Sequence, residues 1–296
     1  MATRLITDET EEGLATGPSA LRRAAWGALR NRLVFLGLAL ALVFILITLL
    51  PNLMTPADPY KMNVSQAMVG PSPAAWLGTD IFGRDVWTRI VYGSRSSLGI
   101  AFASVGMASV LGTILGLLAG YFGKMVDQAL GRLMDVFFSF PSLLLAIVVA
   151  GILGPSVQNV IVAITVVYTP FFFRVARGPT LVEKEREYVL AARTLGAPVK
   201  RILWRHVLPN VLAPVVVQAA VTLCYAILTE ASLSYLGLGI QPPHPSWGSI
   251  LNEGRPYLQI APWISVFPGI TIMLAVLAFN LLGDGLRDLW DPRNVQ

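Results

Sequence analysis

Side chains that could do chemistry are few in this chain, and they do not form a catalytic set. The sequence contains no paired carboxylates, no Ser/His/Asp arrangement and no phosphate-cradling GxxxxGK[ST] motif. Glu230 ends a long uncharged run, and an ionisable residue in such a place is a functional candidate by default. It could meet a cationic ligand or pair with Arg255. Because the catalytic arrangements and the phosphate-binding motif are missing, we expect that the chain is not an enzyme and does not bind ATP itself.

Metal and cofactor sites are not expected either. His244 lies among prolines, but one histidine without a second ligand makes a poor metal site. Asp284 and Asp288 follow the last uncharged run. They could cap a helix or contact a partner protein, and the sequence leaves this choice open.

The composition predicts a membrane protein. Of the 296 residues, 55% are hydrophobic and 13% are charged, with a mean hydropathy of +0.65, whereas soluble domains carry about 25% charged residues. A membrane-spanning helix needs about 20 apolar residues. Uncharged runs of that length or more recur, and the longest is interrupted by LGPS at 153–156. We therefore predict an all-α fold with six transmembrane helices, at 33–51, 97–121, 136–153, 158–175, 211–231 and 264–283.

The basic residues predict the orientation of these spans. If both ends of the chain lie inside, 17 of the 22 Lys and Arg residues fall on inner segments, as the positive-inside rule requires. The first apolar run exceeds the core of a usual signal peptide, so we expect a retained anchor. The chain then divides into a cytoplasmic tail with a basic amphipathic segment, a first helix, an outer loop, a transmembrane core and a second cytoplasmic tail: 1–32, 33–51, 52–96, 97–283 and 284–296.

Two further helical features are predicted at the ends of the spans. Within 76–98, apolar residues alternate with charged ones, which suits a helix lying on the outer face before the second span. In the second span, GTILG places Gly112 and Gly116 four residues apart, the spacing that lets two helices approach closely. Whether the partner helix belongs to the same chain is open.

The inner loop 180–210 predicts a compact pair of short helices. Thr180 and Glu183 have capping-box spacing, which would start a helix just inside the membrane. Gly196 supplies a left-handed stop, and a second short helix follows until Pro209 ends it. A helix–turn–helix that reads DNA is excluded, because the flanking spans leave no room for a third supporting helix. We expect no nucleic-acid partner.

The run EYVLAARTLGAPVKRILWRHVLPN at 187–210 resembles the EAA loop of permease subunits of ATP-binding-cassette (ABC) importers. The resemblance implies that this loop couples the chain to ATPase subunits. The residues expected to do so are Glu187, Ala191, Ala192, Gly196, Ala197 and Pro198.

Other stretches resemble the dipeptide/oligopeptide/nickel branch of the same family, in the right order along nearly the whole chain. They include LGTDIFGRDVWTRIVYGSRSSL at 77–98, FSFPSLLLAIV at 138–148 and LSYLGLGIQPPHPSWGSIL at 233–251. The resemblance implies a type I importer permease in the bacterial inner membrane, with Glu230 as a possible substrate-path residue.

The resemblance also implies the partners and the cargo class. A homologous permease would complete the path for peptides, two ATPase subunits would dock beneath, and an external solute-binding protein would deliver the cargo. The alternative from the residues is an ion-coupled secondary transporter, which would normally carry ionisable residues at mid-bilayer depth. The exact solute (dipeptide, longer peptide, nickel or another) stays open.

Overall fold

The computed structural model describes residues 32–290, and within that range the chain is helical without a β-strand. We number the principal helices in chain order, and three single turns at Pro51–Met54, Val64–Gln66 and Arg255–Tyr257 lie between them. The helices are α1 Arg32–Leu49, α2 Val86–Phe122, α3 Lys124–Phe138, α4 Ser142–Leu153, α5 Val157–Glu183, α6 Glu187–Thr194, α7 Val199–Tyr235, α8 Trp247–Gly254 and α9 Trp263–Trp290. The predicted all-α membrane fold is confirmed.

The number of full-length spans differs from the predicted six. In the described part of the chain, α2, α5, α7 and α9 are long and apolar enough to cross a bilayer. Helices α3 and α4 are long and apolar enough to cross only when they are taken together, and they are bent by 92° at the break between them. The apolar part of α1, Val34–Leu49, is shorter than a standard span. Within the described residues, four straight helices, or five spans with the bent pair, are therefore long enough to cross, and α1 borders the residues that are not described. All six predicted apolar segments are helical.

The predicted third span at 136–153 is not a single straight helix, because the helix breaks inside it. Residues 139–141 are non-helical, and Pro141 precedes the first residue of α4. Proline has no N–H and disfavours helical backbone in the residue before it. Helix α4 has 12 residues, so it is about 18 Å long and cannot cross roughly 30 Å of hydrocarbon alone. An uncharged run therefore does not guarantee a straight helix.

The predicted surface helix within 76–98 is continuous with the second span. Helix α2 runs without interruption for 37 residues from Val86, and Asp85 caps it by accepting a hydrogen bond from the Thr88 N–H at 2.7 Å. Arg89, near the start of this helix, is buried and pairs with Asp80 and Glu253.

Helix α7 joins the second short helix of the inner loop to the following span. The prediction ended that short helix at Pro209, but the backbone continues through a π-helical segment, Ile202–Val207, into Leu208–Tyr235. The Leu208 N–H donates to the Leu203 carbonyl, five residues back. The wider turn places Pro209 in the first turn of a new α-helical stretch, where its missing N–H costs little.

The predicted capping box at Thr180 is wrong. Helix α5 continues to Glu183, so Thr180 lies inside it and its hydroxyl donates to the Ala176 carbonyl at 2.7 Å. Helix α6 begins instead after Arg186, whose backbone is extended. The spacing of Thr180 and Glu183 fits a capping box, but Thr180 is buried inside a helix that continues past it.

The central contact of the bundle is between α2 and α5. A Cβ atom at Gly112 would lie 2.5 Å from the Phe172 Cβ, and one at Gly116 would lie 2.6 Å from the Phe173 carbonyl oxygen. Gly120 faces Thr180 in the same way, at 2.7 Å. The partner of the GTILG stretch is therefore α5 of the same chain, and only glycine leaves room for that helix.

Four charged side chains fasten the outer loop to the bundle. Asp80 accepts from the Arg84 Nε at 2.6 Å and from the Arg89 Nη1 at 2.7 Å. Glu253 of α8 accepts from Arg84 at 2.7 Å and from two nitrogens of Arg89 at 2.6 and 2.9 Å. Asp80 and both arginines are buried. Because buried charges are tolerated only when paired, this cluster holds the start of α2 against α8.

The first predicted tail lies almost entirely outside the described residues, and the second is described up to residue 290. The basic segment in 1–32 is described only at Arg32, and residues 291–296 are outside as well. Helix α9 runs to Trp290, past the predicted end of the last span at 283.

Gly112→Ala tests the close contact between α2 and α5. The added methyl group would overlap α5, and overpacking of this kind costs about 1–3 kcal/mol. We expect a lower apparent Tm in detergent. Gly106→Ala is the control in the same helix, since nothing lies within 4 Å of the position that its added methyl group would take. Equal Tm values for both variants would contradict the close approach.

Candidate functional site

The inner loop forms a knob, defined here as residues 187–207, that is attached to the bundle by apolar side chains. Val189 of α6 and Val207 at the start of α7 are fully buried, and Ile202 is 1% exposed. These side chains face the other helices of the chain. The remaining surface of the knob is largely exposed.

Gly196 ends α6 as predicted. Its φ of +77° is in the left-handed region, which glycine adopts without steric cost. The Ala197 N–H donates to the Ala192 carbonyl at 3.0 Å, and the Gly196 N–H donates to the Arg193 carbonyl at 3.0 Å. This is the Schellman pattern of a helix C-terminus. The turn between α6 and α7 is therefore ordered by backbone hydrogen bonds.

A cluster of hydrogen bonds fixes α6 to the ends of α5 and α7. The Tyr188 hydroxyl donates to the Glu183 carboxylate, and the Asn210 side-chain amide donates to the Tyr188 hydroxyl at 2.9 Å and to the His206 carbonyl at 3.1 Å. Burial, together with the neighbouring Glu183, raises the pKa of Tyr188 to about 12. The phenol therefore stays protonated and keeps donating at any physiological pH.

The knob also contacts the inner end of α2. The Arg193 guanidinium lies 5.5 Å from the centre of the Tyr121 ring, a cation–π distance. The Lys184 Nζ donates to the Gly120 carbonyl at 2.8 Å, where α2 ends. These contacts place α2, α5, α6 and α7 in one connected group at one end of the bundle.

The predicted coupling residues lie on the side of the knob that faces away from the helix bundle. Glu187, Ala191, Gly196 and Pro198 are exposed, while Ala192 and Ala197 are half-buried. The exposed surface also includes a residue that was not chosen from the sequence. Leu195 is 87% exposed. The sequence did contain a signal for this exposure: Leu195 directly precedes the glycine that ends α6, and it lies on the same face as Ala191.

An ion pair joins α3 to α5 near the same end of the bundle. The Arg177 guanidinium donates to both carboxylate oxygens of Asp127, one of them at 2.6 Å. The amphipathic helix α3 is thereby held beside the inner half of α5. Its free end meets the 92° bend into α4.

A cavity of about 390 Å³ opens between α4, α5 and α7. It is lined by Ser142 and Leu143 of α4, Tyr168 and Phe171 of α5, and Gln218, Thr222, Tyr225, Leu228, Thr229 and Ser232 of α7. None of these side chains is ionisable as an acid or a base near neutral pH. The cavity is therefore a neutral, mixed polar and aromatic space inside the transmembrane region.

Glu230 lies outside this cavity. Its side chain is fully buried, and its Oε1 atom accepts from the Ser234 hydroxyl at 2.7 Å. Arg255, the alternative partner considered above, lies 5.8 Å from the Tyr235 ring centre instead. A substrate-path role for Glu230 stays a prediction. No group of three or more His, Cys, Asp or Glu side chains that could hold a metal ion occurs among residues 32–290.

Comparison with known proteins identifies the family. Residues 112–296 match the family described as binding-protein-dependent transport system inner membrane component. The match begins at Gly112 of α2 and includes both the knob and the cavity.

Similar proteins of known name cover nearly the whole chain. A dipeptide transport system permease protein of Alkalihalophilus pseudofirmus is 46% identical over 278 residues, which is 94% of this chain and 91% of that protein. The dipeptide transport system permease protein of Haemophilus influenzae is 42% identical, with 89% and 92% covered. A glutathione transport system permease protein of Pectobacterium atrosepticum is 49% identical, with 76% and 74% covered.

A solved structure shares the fold. An inward-facing crystal form of the MetNI methionine ABC transporter superposes with a TM-score of 0.54 at 22% identity. The likeness covers 69% of this chain and 96% of that one. This supports the type I importer permease fold that the sequence predicted. With this fold and the family match, the chain belongs to the binding-protein-dependent transport system inner membrane components, the multi-pass, non-catalytic permease subunits of ABC importers that work with ATPase subunits.

Proposed function

We propose that this chain is one of two homologous permease subunits that together form the path for peptides through a bacterial inner membrane. An external solute-binding protein delivers the peptide, and two ATPase subunits supply the energy. The peptide cargo is supported by relatives named for dipeptide and glutathione transport. The observation that carries the proposal is the exposed knob, which hydrogen bonds attach to α5 and α7.

The knob has the properties of a docking element for an ATPase subunit. Leu195 exposes 87% of its surface, and burying an apolar side chain of this size on a partner contributes about 1.5–3 kcal/mol. Around it, Arg193 and Lys200 are exposed and can meet acidic groups. A short amphipathic helix that fits into a groove is a common mode of recognition. We assign the predicted coupling residues, from Glu187 to Pro198, to this contact.

The contacts behind the knob can transmit its movement to the spans. Tyr188 links α6 to the end of α5, and Asn210 links it to α7. Arg193 and Lys184 reach the end of α2. A shift of the knob would therefore carry several spans with it, as rigid-body switching between inward- and outward-facing states requires. A flexible loop could not do this.

The charge distribution supports the proposed orientation. If all six apolar segments cross the membrane, 17 of the 22 basic residues lie on one side, and we assign the knob and both termini to the cytoplasm on this basis. In this arrangement, 1–32 and 284–296 are cytoplasmic tails, 52–96 is an outer loop, and 97–283 is the permease core. The ion-coupled alternative has no support, since the family and the relatives belong to binding-protein-dependent systems.

ATP-driven uptake tests the proposal as a whole. The complete transporter in proteoliposomes should accumulate radiolabelled alanyl-alanine when ATP and the liganded binding protein are present. Collapse of proton and sodium gradients with ionophores should leave this uptake unchanged. Uptake that ionophores abolish, with ATP still present, would overturn the ATP-driven assignment.

Leu195→Asp tests the docking role of the exposed tip. A charge at this position would have to be desolvated in an apolar contact, which is unfavourable without a partner. We expect ATP-dependent uptake to fall at least tenfold while the Tm of the isolated chain stays unchanged. Leu195→Met is the matched control, because it conserves volume and polarity and should retain uptake. Wild-type uptake by the aspartate variant would contradict the contact.

Cross-linking tests which subunit the knob touches. We expect Ala191→Cys, in a Cys224→Ser background that removes the natural thiol, to form a cross-link with an ATPase subunit. Val64→Cys, exposed in the outer loop, should form none. Equal cross-linking of both positions, or none from Ala191→Cys, would argue against the proposed contact.

A further inference from the structure

One face of α7 carries a polar stripe, which we define as Gln218, Thr222, Tyr225, Thr229 and Ser232. These residues are four, three, four and three positions apart, so they share one side of the helix. All five line the cavity between α4, α5 and α7. Polar side chains in a span face other protein or a water-filled space rather than lipid. The stripe therefore marks the side of α7 that faces a path.

The chemistry of the stripe is neutral. The Gln218 amide donates to the Thr222 hydroxyl at 3.0 Å, and the Tyr168 and Thr229 hydroxyls share a hydrogen bond at 2.8 Å. The Gln218 carbonyl oxygen remains as an acceptor. The Tyr225 side chain is 57% exposed, and none of the described residues hydrogen-bonds to its hydroxyl. The wall thus offers donors and acceptors suited to amide groups.

The lining of the cavity lacks charges that could select a charged side chain. Beside the bend of α3, Arg174 of α5 pairs with Asp135 at 3.8 Å, and both side chains are largely exposed. Arg174 also lies 4.1 Å from the centre of the Phe138 ring. These two charges therefore satisfy each other outside the cavity. A charged ligand side chain inside the cavity would find no counter-ion among the lining residues.

We propose that this cavity is part of the path through which the peptide is transported. Its lining residues bind the neutral backbone of the peptide rather than its side chains. The volume of about 390 Å³ is within the range of about 300–1,000 Å³ found for small-ligand sites. Binding through backbone amides leaves charged side chains and the charged termini of the peptide in water, so peptides of different side-chain charge can be accommodated. This inference rests on the proposed function, because it names the cargo chemistry of the same path.

The cavity wall is also connected to the bend between α3 and α4. The Phe138 and Phe171 rings lie 5.0 Å apart edge to face, and Phe171 lies 5.8 Å from the Tyr168 ring. Tyr168 in turn hydrogen-bonds to Thr229 of the stripe. A row of aromatic contacts thus joins the end of α3 to the peptide-facing side of α7. Movement at the bend would change the shape of the cavity.

The test uses the complete transporter in proteoliposomes with saturating binding protein. Gln218→Leu and Tyr225→Phe each remove hydrogen-bonding atoms without adding charge. We expect the number of alanyl-alanine molecules transported per ATP hydrolysed to fall about tenfold for Gln218→Leu. This loss corresponds to about 1.4 kcal/mol, which is within the cost of leaving a hydrogen-bond partner unpaired. Tyr225→Phe should also lower the number of peptide molecules transported per ATP hydrolysed.

Thr271→Val is the matched control. Its hydroxyl, on α9, donates to the Phe267 carbonyl at 2.9 Å and does not line the cavity. The control should keep the wild-type ratio. Alanyl-lysine and alanyl-glutamate should show the same fractional loss as alanyl-alanine in Gln218→Leu. A loss confined to one charged peptide, or an unchanged ratio in both stripe variants, would overturn the proposal.

A photo-reactive benzoylphenylalanine at Tyr225 gives a direct measurement. During turnover it should capture the radiolabelled peptide. Capture of the homologous permease alone would overturn the inference and assign the stripe to a subunit interface. Failure of the proposed function gives a different result, because the wild-type transporter would then show no ATP-dependent uptake of any of the three peptides.

Discussion

The arrangement of the whole bundle depends on how closely α2 and α5 approach each other. At Gly112, Gly116 and Gly120, any Cβ atom would lie within 2.8 Å of atoms of α5. In lipid there is little hydrophobic drive between helices, so close van der Waals packing supplies the association. This contact fixes α5, and α5 carries one wall of the cavity and leads into the knob. The geometry of both sites therefore depends on the three glycines.

Charges fix the two ends of this bundle and are absent from the cavity wall between them. At the outer end, Asp80 and Glu253 pair with two buried arginines. At the inner end, Arg177 pairs with Asp127, and Lys184 caps α2. Breaking a buried pair is strongly destabilising, whereas neutral hydrogen bonds exchange partners at low cost. The charged contacts of the buried arginines are therefore harder to break than the neutral hydrogen bonds along the cavity wall.

The local features of the candidate site could be predicted, because they depend on neighbouring residues. Gly196 was expected to end a helix, and its φ of +77° satisfies that expectation. Its neighbours were expected to form a short amphipathic helix, and α6 is that helix. The cavity was not predicted. Its stripe from Gln218 to Ser232 is visible as a helical period in the sequence, but threonine and serine are common inside spans, and the spacing alone does not say that a cavity faces them.

Two prolines separate what the sequence determined from what the tertiary structure decided. The sequence determined the apolar segments, the clustering of basic residues between them, and the family. Pro141 interrupts a segment that was expected to be one span, while Pro209, expected to end a helix, lies within the continuous helix α7. Both residues are prolines, but only Pro141 interrupts a helix. Whether a proline does so depends on whether neighbouring backbone groups find other hydrogen-bond partners, as they do in the π-helical turn before Pro209. Likewise, the sequence places Glu230 on α7, but only the packing of the other helices buries its carboxylate, because periodicity assigns a residue to a face and not to the neighbour that the face meets.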